Sequence, residues 1–101
     1  MLIYNITVNV ENKILDEWML WQKETHIPEI IETGCFYDHR FYELLEQDTN
    51  EGKTFVIQFY AYSRKDYDRY LENFALQLRE KNKEKWNEQV MSFRTLLQNV
   101  Q

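Results

Sequence analysis

Apolar and polar side chains alternate along the first ten residues of the chain. Every second position is apolar, and these positions are Leu2, Tyr4, Ile6, Val8 and Val10. The positions between them are mostly polar, and they are Ile3, Asn5, Thr7 and Asn9. A period of two is typical of a strand that turns one face toward a core. The sequence therefore predicts a first strand over residues 2–10.

A helical period follows this strand. Asn12 is of a residue type that favours the N-cap position. The apolar residues behind it recur with helical spacing, and they are Ile14, Leu15, Trp18 and Trp21. We expect a first helix over residues 13–25. A second helical piece is predicted over residues 28–33, which Pro28 begins and Gly34 ends.

The remaining chain alternates between strand and helix patterns. The predicted strands are residues 36–45, 54–62 and 90–97. Ser63 opens a capping pattern for a second helix that extends to about Trp86. The apolar stripe of this helix is Tyr67, Tyr70, Leu71, Phe74 and Leu78. In the last strand Met91, Phe93 and Leu97 alternate with Ser92 and Arg94.

This order of elements predicts a single α+β domain over residues 1–101 with the ferredoxin-like β-α-β-β-α-β topology. In that topology two helices cover one face of a four-stranded antiparallel sheet, and the first and third strands are central. The positions of the charged strand residues agree with this topology, because these residues lie on the predicted edge strands. They are Asp38, Arg40, Glu43 and Arg94.

The third strand has apolar side chains on both faces. Its two sets are Val56, Tyr60 and Tyr62, and Phe55, Ile57 and Phe59. Two helices can cover only one face, and an apolar face left open to water is an association site. We therefore expect a homodimer about a two-fold axis, with Phe55, Ile57 and Phe59 in the interface.

Composition and charge narrow the classes of partner. The chain has 12 basic and 17 acidic residues, for a formal net charge of −5, which opposes binding to nucleic acid. Cys35 is the single cysteine, so no internal disulfide is expected. The longest apolar run, residues 18–21, is too short to cross a membrane, and no signal-peptide pattern is visible. We expect a cytoplasmic protein.

The segment from Trp18 to Pro28 carries a family resemblance. Its Trp18, Trp21, His26 and Pro28 resemble the aromatic-x-x-Trp…His-x-Pro element of the dimeric α/β-barrel superfamily, in particular the EthD-like members. Residues 2–10, the turn at residues 26–29 and residues 93–95 also resemble a family of short bacterial proteins known only as a domain of unknown function. The resemblance implies the dimeric ferredoxin-like barrel and no assigned activity.

The resemblance places His26 near the mouth of a cleft between helices and sheet, where an imidazole could act as a general base. Asn5 could donate to a developing oxyanion, and Arg94 could hold a carboxylate. The predicted walls are Trp18, Trp21 and Tyr60. A ligand cleft would approach roughly 300 Å³. Alternatively, His26 bonds the backbone at a helix end and the aromatic residues fill the core.

These residues leave two functions open. The chain is a domain that binds a small organic ligand, or it is an interaction scaffold. The alternative is a cofactor-independent enzyme of the dimeric α/β-barrel type, which in that superfamily means an oxygenase, an isomerase or a mutarotase. An RNA-binding module shares the strand order, but the glycines of its third-strand motif are missing here. With His26 and His39 as the only histidines, no metal site is predicted, and no cofactor is expected.

Overall fold

The computed structural model describes residues Met1–Gln101 and contains one four-stranded sheet. Its strands are β1 (Leu2–Glu11), β2 (Asp38–Glu43), β3 (Gly52–Ala61) and β4 (Val90–Gln98). The strands are ordered β2-β3-β1-β4, and every neighbouring pair is antiparallel. The ferredoxin-like prediction is confirmed, and β1 and β3 are the central strands.

Two helical arms lie on one face of the sheet. The first arm contains α1 (Leu15–Trp21) and α2 (Ile27–Glu32), joined by a π-helical turn over Gln22–His26. The second arm contains α3 (Arg64–Tyr70) and α4 (Leu76–Trp86), joined by a π-helical turn over Leu71–Ala75. Short 3₁₀ turns precede α1 and β4, at Asn12–Ile14 and Asn87–Gln89. No helix combines the length and the apolar composition that crossing a bilayer requires.

Each π-helical turn changes the spacing between successive buried residues of its arm. In the first arm the buried residue after Gln22 is Ile27, and in the second arm the buried residue after Tyr70 is Ala75. Each step is five residues, because a π turn holds one residue more than an α turn. The prediction that Leu71 belongs to the buried stripe is therefore wrong, and its side chain is 37% exposed.

The ends of the helices agree with the sequence in two of three cases. Ser63 caps α3, since its hydroxyl accepts a hydrogen bond from the backbone N–H of Asp66 at 3.4 Å. Gly34 has a φ of 76° and ends the first arm, as predicted. The N-cap prediction for Asn12 is wrong, because its side-chain amide donates to the carbonyl oxygens of Thr49 and Asn50 in the β2–β3 loop.

The core lies between the arms and the inner face of the sheet. Strand register sets this face, because Tyr4 lies opposite Phe59, Ile6 opposite Ile57 and Val8 opposite Phe55. The three β3 side chains are therefore buried beneath the helices. The prediction that Phe55, Ile57 and Phe59 form an open dimer interface is wrong, since they pack with the apolar set of β1.

The outer face of the sheet is open and mixed in character. A row of polar residues crosses it, with Gln58 donating to Asn5 at 3.2 Å and Asn5 donating to Thr95 at 3.3 Å. Large apolar side chains also reach solvent on this face, and they are Tyr42, Met91, Phe93 and Leu97. This outer face, and not the β3 core residues, is the apolar surface left uncovered.

Candidate functional site

A small cavity lies beneath the helices where β4 meets the core. Ser92 and Arg94 turn inward there, because they pair with the inward-facing Val8 and Ile6 of β1. The first arm contributes Trp18, Gln22, His26 and Ile30, and α4 contributes Asn82. Three separate elements thus place polar side chains around one enclosed space.

Several of these polar side chains have no partner within the protein. Among the residues that line the cavity, the buried atoms without a partner are Trp18 Nε1, Gln22 Oε1, His26 Nδ1, Asn82 Oδ1 and Arg94 Nε. Gln22 is the most buried of the polar residues, with 3% of its surface exposed. Buried polar groups nearly always have a hydrogen-bond partner, and leaving one without a partner is costly. The cluster is therefore suited to hold polar atoms from outside the chain.

The local structure of the first arm brings Gln22 and His26 to the cavity. They are the first and last residues of its π-helical turn. Such turns are rare and are found often at functional sites. Pro28 lies at the start of α2. Proline is tolerated in the first turn of a helix although it lacks a backbone N–H, so α2 continues directly from the π turn.

Burial determines the protonation state of His26. Removal from water lowers the pKa of this imidazole to about 4, and the carboxylate of Glu29 only partly opposes the shift. The positive charges of Arg94 and Lys81 lower this pKa further. The ring also stacks on Trp21, with centroids 4.6 Å apart. At neutral pH His26 is a neutral group that can donate one hydrogen bond and accept another.

A wider groove lies outside the cavity, between α4 and β4. Its volume is about 610 Å³, whereas the cavity encloses about 20 Å³. Asn82, Ser92 and Arg94 line both spaces, so these three side chains form the boundary between them. A polar group bound at this boundary would lie between the groove and the cluster around His26.

The structure brings together only part of the predicted site. Trp18, His26 and Arg94 line the cavity, and Trp21 lies behind His26. Tyr60 and Asn5 lie on the outer face of the sheet, so the prediction that they share a cleft with His26 is wrong. Both belong to alternating sets that face away from the helices.

Three residues of the site were missed in the sequence. Gln22 lies four residues after Trp18, so a polar residue on the buried stripe was the available signal. Ser92 alternates with apolar neighbours in a strand whose inward face had not been assigned. Nothing in the sequence around Asn82 distinguishes it from a solvent-exposed helix residue.

The predicted open cleft of roughly 300 Å³ is wrong for the space beside His26. Trp18, Ile30 and Phe59 are buried there, and the cavity that they help to line measures about 20 Å³. A cavity of this size holds about one water molecule. A larger ligand could place only a small polar group there, with its remaining atoms in the groove.

Comparison with known proteins gives a family and a fold. The family model described as "Domain of unknown function (DUF4286)" matches residues 1–100. No curated protein matches the sequence. HapK from Hahella chejuensis is similar in structure, with a TM-score of 0.70, 8% identity, and coverage of 99% of this chain and 93% of that chain.

SnoaB from Streptomyces nogalater, a cofactor-independent oxygenase, has a TM-score of 0.62 and 12% identity over 99% of this chain and 94% of its own. The designed protein Foldit4 has a TM-score of 0.52 and 11% identity over 97% of each chain. At these identities the likeness is one of fold.

Proposed function

Since the chain belongs to the DUF4286 family, a domain of unknown function, we propose a function from its geometry: it binds a small organic ligand at the α4–β4 groove. The observation that carries this proposal is the cluster of unpartnered polar atoms on Gln22, His26, Asn82 and Arg94. Such a cluster costs stability, and a ligand that supplies hydrogen bonds would recover that cost.

The dimensions of the groove support the same function. Ligand sites commonly measure about 300–1,000 Å³, and the groove falls within this range at about 610 Å³. Its inner boundary holds the side chains of Asn82, Ser92 and Arg94. The ligand would lie in the groove and direct a polar group past this boundary toward His26.

A binding screen by NMR tests this proposal. Labelled protein is titrated with haem, aromatic polyketide-like molecules and sugars, and the backbone amide shifts locate any binding. We expect a ligand to shift Asn82 and Ser92, and His26→Ala to weaken its binding. Asn5→Ala is the matched control on the outer face and should leave affinity unchanged. Binding confined to the outer face, or no binding by any compound, would count against the proposal and favour an interaction scaffold.

We also propose that the chain forms a homodimer through its outer sheet face. The exposed side chains of Tyr42, Met91, Phe93 and Leu97 support this, because an exposed apolar patch of this kind marks an association site. The resemblance of residues 18–28 to EthD-like members of the dimeric α/β-barrel superfamily favours a second copy as the partner. We also propose that the chain belongs to this EthD-like branch.

Sedimentation velocity tests the dimer. Wild-type protein should sediment with twice the mass of one chain, and Phe93→Asp should shift it to a monomer, because the charge would be buried in the interface. Arg64→Asp changes an exposed helix residue and should leave the dimer intact. A wild-type monomer at micromolar concentration would contradict this proposal.

A second candidate is a cofactor-independent enzyme, in which His26 takes a proton from the ligand. The unpartnered Nδ1 of His26 at the cavity favours it. However, a base works best when its pKa is near the working pH, and a pKa of about 4 makes His26 a weak proton acceptor. Turnover of a bound compound that His26→Gln abolishes without loss of binding would establish the enzyme. Binding without turnover would leave the ligand-binding domain.

A further inference from the structure

The α4–β4 groove reverses the charge balance of the whole chain. The chain carries 17 acidic and 12 basic residues. The groove is lined by the cations of Arg79, Lys83 and Arg94 and by one carboxylate, that of Glu88. Positive charge gathered in a concave surface raises the local concentration of anions.

The arginines of this groove differ from the other arginines of the chain. The three outside the groove each form an ion pair with an aspartate, and they are Arg40, Arg64 and Arg69. Arg79 and Arg94 are absent from every ion pair in the structure. The Nε atoms of both are buried without a hydrogen-bond partner. The groove therefore contains cationic groups that the chain itself does not neutralise.

Arg94 is the one charged residue that lines both the groove and the cavity, whereas Arg79 and Lys83 line the groove alone. The polar residues that share the cavity with Arg94 are neutral, and they are Gln22, His26, Asn82 and Ser92. A carboxylate is planar, carries one charge, and can accept two parallel hydrogen bonds from the Nε and Nη atoms of one guanidinium. At the cavity, one guanidinium among neutral hydrogen-bonding groups matches that geometry. A phosphate group carries more charge and commonly requires further cations or a helix N-terminus, and the lining of the cavity offers neither.

On these observations we propose that the groove selects organic carboxylates, with the Arg94 guanidinium as the binding group and the Nδ2–H of Asn82 and the hydroxyl of Ser92 as further hydrogen-bond donors. This inference rests on the proposed ligand-binding function and adds the chemical class of the ligand. The organic part of the acid occupies the outer groove, between α4 and β4.

An NMR titration of the full chain with three probes tests the inference. The probes are phenylacetate, its neutral isostere phenylacetamide, and inorganic phosphate. We expect phenylacetate to shift the amides of Asn82 and Ser92 and to bind about tenfold or more tightly than phenylacetamide, because hydrogen bonds to a charged group are stronger than neutral ones. Phosphate should bind more weakly than phenylacetate.

Variants of Arg94 separate the guanidinium from general charge. Arg94→Gln should remove the preference for the acid over the amide. Arg94→Lys keeps the charge but loses the planar pair of donors, so it should reduce the preference only in part. Arg64→Gln makes the same charge change on the exposed surface of α3 and should leave the preference intact. If Arg94→Gln does not fold, Arg94→Lys carries the comparison.

Three outcomes would overturn the inference, and they separate it from the function on which it rests. Equal binding of acid and amide in the groove would overturn carboxylate selection while the ligand-binding function stands. Phosphate binding as tight as phenylacetate, with the same dependence on Arg94, would replace the carboxylate with oxyanions in general. Absence of groove shifts with all three probes would count against both.

Discussion

Strands β3 and β4 flank the same central strand and present opposite chemistry to the helices. β3 turns large apolar side chains inward, and they are Phe55, Ile57 and Phe59. β4 turns Ser92 and Arg94 inward and leaves Phe93 outward, with 65% of its surface exposed. Both strands alternate, but in the middle of β4 the polarity is inverted relative to β3, whereas Val90 and Leu96 near the ends of β4 still face inward.

Because of this difference, β3 and β4 contribute to different properties of the protein. β3 provides the buried apolar contacts that stabilise the fold. β4 makes fewer such contacts, because polar side chains line a cavity on its inner face and apolar side chains are exposed on its outer face. An edge strand can do this because only one of its sides is paired, and the core keeps its central strands. The proposed ligand groove and the proposed dimer face therefore both lie at β4.

The largest expected effect comes from truncating one aromatic residue in each strand. Phe59 has 0% of its surface exposed, so Phe59→Ala should lower the free energy of unfolding by about 3–5 kcal/mol. Phe93→Ala should change it by about 0.5 kcal/mol or less, because surface substitutions rarely do more. Urea unfolding at protein concentrations below the dissociation constant of the proposed dimer measures both. Equal losses would contradict the contrast between the strands.

The second effect is a pH dependence that originates at the polar cavity beside β4. The pKa of His26 falls from its ordinary value of 6.5 in the unfolded chain to about 4 in the folded protein. The unfolded chain therefore binds the proton first, and stability falls as pH decreases from 6.5 to about 4. The expected loss is about 3 kcal/mol, at about 1.4 kcal/mol per pKa unit.

The control for this pH dependence is His26→Gln, which removes the titrating group. The difference in unfolding free energy between wild type and variant should change across this pH window and stay constant above it. The charges of Glu29, Lys81 and Arg94 face His26 and contribute to its pKa. A constant difference at all pH values would show that His26 is exposed to water in the folded protein.

A third prediction concerns the stability cost of Arg94. Its guanidinium is partly buried without a carboxylate partner, so Arg94→Met should raise the free energy of unfolding by about 1 kcal/mol. Arg64→Met, on the exposed surface of α3, should have an effect within about 0.5 kcal/mol. Thermal and urea unfolding measure both variants. A destabilised Arg94→Met would mean that the residue supports the fold instead of a site.

The smallest effect is expected on the outer face. Asn5 accepts a hydrogen bond from Gln58 and donates one to Thr95 there. Because the first bond is only partly buried and the second is exposed to water, Asn5→Ala should lower stability by less than about 1 kcal/mol. It should also leave ligand binding at the groove unchanged. Weaker binding in this variant would show that the two faces of the sheet are coupled.

Local patterns in the sequence were sufficient for the fold. The alternation over residues 2–10 and the order of the later elements predicted the topology that the structure shows. Strand β2 is shorter than predicted, at Asp38–Glu43, and the buried residues Cys35 and Phe36 lie before it. The π-helical turns were missed because each alters the helical period by a single residue.

The faces of the sheet were assigned incorrectly for a different reason. Gln58 and Thr54 belong to the same alternating set as Tyr60, and they pair with Asn5 and Asn9 of β1. These two polar residues marked that set as the outer one. The large apolar residues around them obscured this polar character, so the sequence pattern indicated apolar side chains on both faces of β3.

The order and type of the elements follow from local sequence patterns, since hydrophobic periods and capping residues act over a few neighbouring positions. Which face the helices cover, and which polar groups meet beneath them, depends on tertiary packing. Gln22, Asn82 and Arg94 belong to three separate elements, and Gln22 lies far from the other two in the chain. Strand register and helix packing bring them together, and these are long-range contacts that no local pattern encodes.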